Sequence, residues 1–495
     1  MFRCRRSSSL GNEDQWMRLN RAAGIGELGM YYTETEPQSL PIRKWDAWSK
    51  WVLFLLVGFS LTGRSFSYLG IPPAKLFIGD LTLAAFIFLR PRKLFDPWLK
   101  ALTSGGPLGP VSWMLLISIC YGIFEVIRGV LLGFSPLTAI ENVVFNVYPL
   151  FLFLGIWVGA RRPELLLKYI QIFAICFFFY APLYLLVLHS VKLQMPGSDG
   201  ITVFGQAGGG GYIILSLLCF DPKPARWWPV MTMGAISFLA AQVRAEWLAM
   251  AVATVIWGVL SRKLNRVMMI GVGIFAVLLI GFLLDVNLPS PGERGGAISS
   301  TEIVARGLAA VSPDLARDVT GSDNVGFYRG TITWRQNWWK AIWQNSQENY
   351  SNLLIGPGYG FLLRNLVGYL RDVGDLRTPH NVFYYALGYS GWIGVSIFFS
   401  LQIACGFLLW RAYTVTGQAW GIAVWASGLV AAFFGNVMET PSGAIPFYLT
   451  MGLVVGPALA ALKSPARQGV LRPASVPYPQ QEVYVSEGAY SSEAI

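Results

Sequence analysis

Charge is scarce in this chain. Asp, Glu, Lys and Arg together make up 13% of its 495 residues, where a soluble domain carries about 25%. With a hydrophobic share of 54% and a mean hydropathy of +0.49, that shortage excludes an ordinary soluble globular protein. Cysteine is also sparse. Cys120, Cys176, Cys219 and Cys405 fall inside apolar runs and Cys4 lies in the basic N-terminal tail. None stands in the large polar loop, so no disulfide framework is expected there. The opening MFRCRRSSSL is basic but has no apolar stretch behind it, so no cleavable signal peptide is expected.

What the chain does have is long apolar runs. They lie at roughly 51–67, 71–89, 111–133, 139–160, 164–189, 200–220, 227–243, 246–261, 265–284, 382–410, 417–437 and 441–462, several beyond the roughly 18 residues that mark a transmembrane helix. The fold class expected is all-α, a polytopic membrane protein with about 12 transmembrane helices. The division between the seventh and eighth spans is the weakest, since only QVRAE interrupts the run. The domain layout expected is a cytoplasmic tail (1–50), spans 1–9 (51–284), an extracytoplasmic loop with interfacial helices (285–380), spans 10–12 (381–463) and a disordered Pro/Ser-rich tail (464–495).

Orientation follows from the positive-inside rule. With the N-terminus inside, the cytoplasmic loops carry Arg90, Arg92, Lys93 and Lys100, then Arg161 and Arg162, Lys223 and Arg226, Arg262, Lys263 and Arg266, Arg411, and finally Lys463 and Arg467. These account for much of the net charge of +11, and nucleic acid is not an expected partner. The loop at 285–380 then faces outward. Arg64, Lys75, Arg128 and Arg244 stand against the rule, at or near the outer ends of their spans. Charges inside a membrane span are expensive and usually face a bundle interior or a wet cavity. Two readings stay open for them. Glu125 with Arg128, and Arg244 beside Glu246, suit local pairing; alternatively the cations join Arg329, Arg335 and His380 in a basic rim for an anion, a diphosphate matching arginine forks best.

The polar stretch Tyr328–Gly391 is rich in tryptophan and arginine. Thr331–Asn345 has helical character, with Ile332, Trp339, Ile342 and Trp343 near one face, as in an interfacial helix or one packed across the bundle end. In GPGYGF, the glycines Gly356, Gly358 and Gly360 allow a tight turn or a close approach to a ligand. His380 follows a proline in RTPHN at the entry to the next span. A lone histidine is more often structural, but this position favours catalysis. Asp372 and Asp375, close by in sequence, are alternatives that could orient it or act as the base. The polyglycine run Gly208–Gly211 reads as close helix packing.

Taken in order, QVRAEW, TWRQNWWKAI, GPGYGF and PHNVFYYALGYSGWIG resemble the O-antigen ligase-like membrane proteins, a superfamily of O-antigen ligases and polysaccharide polymerases. Val243 departs from the Ser or Gly that often precedes the middle arginine. The resemblance implies a glycosyltransferase of the GT-C type in a bacterial inner membrane, its active site facing the periplasm. It would move a glycan from an undecaprenyl-diphosphate carrier to a sugar hydroxyl without a metal or other cofactor. The acceptor would be lipid A–core for a ligase or a second carrier-linked glycan for a polymerase, in lipopolysaccharide or exopolysaccharide assembly. By the same resemblance His380 would activate the hydroxyl, and Arg335, Arg329 and Arg244 would hold the diphosphate; the outward charge pattern, independently of the resemblance, adds Arg128, Lys75 and Arg64 as donor-site candidates. Gly356, Gly358, Gly360 and Asn381 would set the loop geometry. The competing class is a secondary transporter, which predicts paired halves with broken helices; the chain has no clear internal repeat.

Overall fold

Apolar runs with few polar side chains must satisfy their own backbone N–H and C=O groups, and helices do this within one segment. The computed structural model describes residues 45–462 except 72–75, 197, 199, 206–208, 222, 242, 285–286, 290–296, 310–311, 322–324 and 371–377, and gives the backbone alone for 277–278, 287–289, 297–298, 313 and 325–331. The tails called at 1–50 and 464–495 therefore fall, apart from 45–50, outside the described residues. In chain order the helices are α1 (Ala47–Thr62), α2 (Ile78–Leu89), α3 (Pro91–Ser104), α4 (Gly109–Leu131), α5 (Pro136–Val147), α6 (Phe151–Arg161), α7 (Leu165–Leu186), α8 (Gly210–Phe220), α9 (Trp228–Ala240) and α10 (Arg244–Leu260). They continue with α11 (Leu264–Leu283), α12 (Ser300–Leu308), α13 (Pro313–Thr320), α14 (Val325–Gln347), α15 (Tyr350–Ile355), α16 (Val382–Thr416), α17 (Trp420–Phe434) and α18 (Pro441–Leu462).

Each apolar run contains a helix, but not all reach crossing length. Among the described residues six stretches are long and apolar enough to span a membrane: α4, the continuous Pro136–Arg161, α7, α11, α16 and α18. Helices α1, α2, α8 and α17 are apolar but shorter. The protein is all-α and polytopic, with six candidate spans where the run lengths suggested about twelve. Part of the difference is local chemistry. Gly209, at φ +78°, stands immediately before α8, which starts only at Gly210, and the QVRAE interruption does separate α9 from α10.

Helices α6 and α18 make the tightest packing in the core. Gly155 and Gly159 face Gly452 and Gly456 so closely that a Cβ on Gly452 would lie 2.2 Å from the Leu152 carbonyl oxygen. Such small-residue spacing lets two backbones touch where lipid gives no hydrophobic drive to associate. The polyglycine run serves the same purpose at Gly210, where a Cβ would meet the Gly234 carbonyl oxygen at 2.4 Å.

Between α11 and α16 the polar segment folds into short capped helices. Ser299 accepts from the Glu302 N–H, Ser312 from Leu315 and Asn349 from Asn352, each satisfying a donor that a helix start leaves open. Helix α14 begins at Val325, earlier than its sequence pattern suggests. Its inward face is also different. Trp338 and Ile342 are fully buried, with Asn345 and Ser346 beside them, while Trp343 is exposed. Spacing of four and seven residues puts these groups on one stripe, so α14 packs deepest through Trp338 and Ile342, with Trp339 half-buried beside them and Trp343 at the rim. Gly388 of α16 makes room for Ile342, whose Cγ2 would sit 3.1 Å from a Cβ there.

Candidate active site

The loop after α15 is built to press against α16. Gly356, Gly358 and Gly360 all take positive φ, at 69°, 104° and 92°, conformations that side chains disfavour. A Cβ at Gly356 would also strike the Tyr389 carbonyl group at 2.6 Å. The loop's N–H groups are used within the protein: Gly358 donates to the Tyr389 carbonyl at 3.0 Å and Gly360 to Asn142 Oδ1 at 3.0 Å. Of the two uses the sequence left open for these glycines, the tight turn is the one seen.

Arg128 fastens this loop. Its Nε and Nη2 donate to Glu125 Oε2, at 3.0 and 2.5 Å, while Nη1 and Nη2 donate to the Gly356 and Ile355 carbonyls at 2.9 and 2.6 Å. Glu125 has no exposed surface. The local pair that the sequence offered as one reading of Arg128 is thus formed, and the guanidinium also braces the loop through the Gly356 and Ile355 carbonyls.

His380 and Arg335 come together around one indole. The Trp334 ring carries the Arg335 guanidinium at 5.4 Å from its centroid, and its centroid lies 5.7 Å from that of the His380 imidazole, edge-on at 87°. Arg335 Nη1 also donates to the Phe434 carbonyl at 3.1 Å, tying α14 to the end of α17. His380 has φ +53°, one of two non-glycine residues with positive φ among those described. Asn381 caps α16, its Oδ1 accepting from the N–H groups of Phe383 and Tyr384 at 2.9 and 3.2 Å. A groove of about 360 Å³ opens beside Asn381, lined by Leu248, Val252, Val430, Phe433 and Phe434.

The remaining candidates are dispersed. Arg244 is the first residue of α10, and its Nη1 donates to the Arg306 carbonyl on α12 at 3.3 Å. Arg64 is exposed on the short helix Arg64–Ser67. Arg329 falls on α14, with its side chain outside the described residues, and Lys75, Asp372 and Asp375 lie outside them altogether.

Two groups escaped the sequence reading. Arg306 is buried on α12 beside Arg244. Glu439 sits in the connector between α17 and α18, 7% exposed, and neither carboxyl oxygen finds a well-placed donor among the described residues. Burial pushes this carboxyl up to about 8, and the backbone N–H groups of Met438 and Glu439 offset only part of that effect. A basic loop motif signals Arg335; one glutamate after an apolar run signals nothing until the connector folds.

His380, Arg335 and the groove beside Asn381 thus lie near the start of α16 and the end of α17. Residues 229–399 match the family model for O-antigen ligase, which supports the O-antigen ligase-like family that the motifs resemble. The matched stretch contains Arg244, Arg306, Arg335, the glycine loop and His380. No curated protein matches the chain.

Proposed function

We propose that this protein is a membrane glycosyltransferase with about twelve transmembrane helices and a GT-C-like arrangement. It would move a glycan from an undecaprenyl-diphosphate carrier to a sugar hydroxyl at the periplasmic face of the inner membrane. The observation that carries this reading is the shared Trp334 indole, with the Arg335 guanidinium on it and the His380 imidazole beside it. In the reaction, neutral His380 takes the proton from the acceptor hydroxyl as its oxygen bonds to the anomeric carbon. The bond from that carbon to the diphosphate oxygen breaks, and its electron pair leaves with the lipid diphosphate. Arg335 faces that growing negative charge; as a guanidinium it stays protonated throughout. Arg244 and Arg329 are proposed to complete the anion site, and the groove at Leu248, Val252 and Phe434 suits the apolar carrier chain.

The test uses purified protein in lipid nanodiscs, an undecaprenyl-diphosphate-linked oligosaccharide and a chelator, with and without lipid A–core. One shifted product that requires lipid A–core makes the protein a ligase. A ladder from donor alone makes it a polymerase of repeat units. Absence of transfer from either donor set, or transfer lost in chelator, overturns the metal-free glycosyltransferase reading.

A further inference from the structure

The imidazole proposed to act as base sits on a backbone that does not hold itself. A side-chain-bearing residue at positive φ is strained, and His380 adopts φ +53° between Pro379 and the helix-capping Asn381. Such strain persists only where the surroundings over-determine it. Trp339 Nε1 donates to the Pro379 carbonyl at 2.8 Å, just before the histidine. The same indole stacks on Tyr384 at 5.3 Å between centroids and 8° between planes, within the first turn after it. One side chain therefore clamps the chain on both sides of His380, and it belongs to α14, the helix that also presents Trp334 and Arg335.

We infer that Trp339 is a positioning residue, holding the left-handed turn that aims His380 and coupling the imidazole to the helix that carries Arg335. This rests on the proposed role of His380 for its effect on transfer, but its structural half does not. Removing only the donor, as in Trp339→Phe, leaves a ring to stack on Tyr384 and frees the Pro379 carbonyl. Tyr384→Leu does the reverse. Both loosen the turn without touching Arg335.

The test reads the two histidines separately. Diethyl pyrocarbonate is applied across a pH series and modification at each site is quantified by peptide mass spectrometry, with His189, on another helix end, as an internal reference. In Trp339→Phe, modification of His380 should change at least threefold relative to His189. Transfer at saturating donor should fall about tenfold with KM held within twofold, and Trp339→Phe should add nothing further to a His380→Ala background. Unchanged His380 reactivity in both Trp339→Phe and Tyr384→Leu overturns the inference. A parallel change at both histidines also overturns it, because that marks general unfolding. If the His380-specific change appears but the wild-type protein transfers no glycan, the positioning role stands and the glycosyltransferase reading is the one that fails.

Discussion

At the scale of single residues, three side chains separate chemistry from architecture. His380→Ala should lower transfer by about 10²–10⁴, the contribution usual for a positioned general base, with an unchanged elution profile in size-exclusion chromatography. Arg335→Lys should recover little of the activity lost in Arg335→Ala, because an ammonium cannot reproduce a stacked, forked guanidinium; full activity in the lysine variant would falsify the anion-holding role. Glu439 makes a prediction about stability instead. Its carboxyl, raised to about 8 by burial, keeps a proton in the folded protein that the unfolded chain releases near the ordinary carboxylate value of about 4.3. The folded state thus binds more protons between those two pH values, and stability falls as pH rises through that window. Glu439→Gln has no proton to lose. The Tm advantage of that variant should grow from pH 5 to pH 8 and level off above it, as measured by tryptophan fluorescence on heating. A constant difference would mean that the carboxyl is ionised throughout.

Elements explain why some of this could be read in advance and some could not. The position of His380 was legible because a proline, a capping asparagine and an apolar run mark a helix entry whatever the fold. The use of Arg128 was not settled, since the Ile355 and Gly356 carbonyls that claim it lie more than two hundred positions away. The inward face of α14 is legible in the sequence only in part, through Ile342, for a related reason. Four tryptophans within ten residues offer more than one apolar stripe, and only the neighbouring Leu363 carbonyl, which accepts from Trp338 Nε1 at 2.9 Å, selects among them. Arg128→Ala should accordingly act through the scaffold. It leaves Glu125 buried without its cation, a loss of about 3–5 kcal/mol for a broken buried pair. Tm and transfer should fall together in that variant, whereas Arg335→Ala should lower transfer alone. A fall in transfer with Tm unchanged in Arg128→Ala would return Arg128 to the substrate site.

For the whole molecule, the groove and the core make different demands. Tryptophan at Val252 or Val430 fills the space beside Asn381 and should raise KM for a long-chain carrier at least tenfold while sparing a donor with a short, soluble chain; equal effects on both donors would remove the groove from carrier binding. Composition was enough to establish a membrane-embedded helical protein, and the crossing count was less secure because glycine-rich and interrupted runs shorten their helices. The kink in α16 has a further consequence. This helix has 35 residues with Gly391 at φ 59° and ψ −164° inside it, where the backbone of Leu354 and Ile355 fills the notch. Beyond the kink about 25 residues remain, roughly 37 Å at 1.5 Å per residue, enough to cross a hydrocarbon layer of about 30 Å with some tilt. The stretch before it is therefore surplus to a crossing of that length, and the filled notch holds it against the end of α15. A side chain at Gly391 would strike that backbone, so Gly391→Ala should unseat the turn that leads into the glycine loop and lower Tm and transfer together, whereas an unchanged Tm would mean that the notch closes without it.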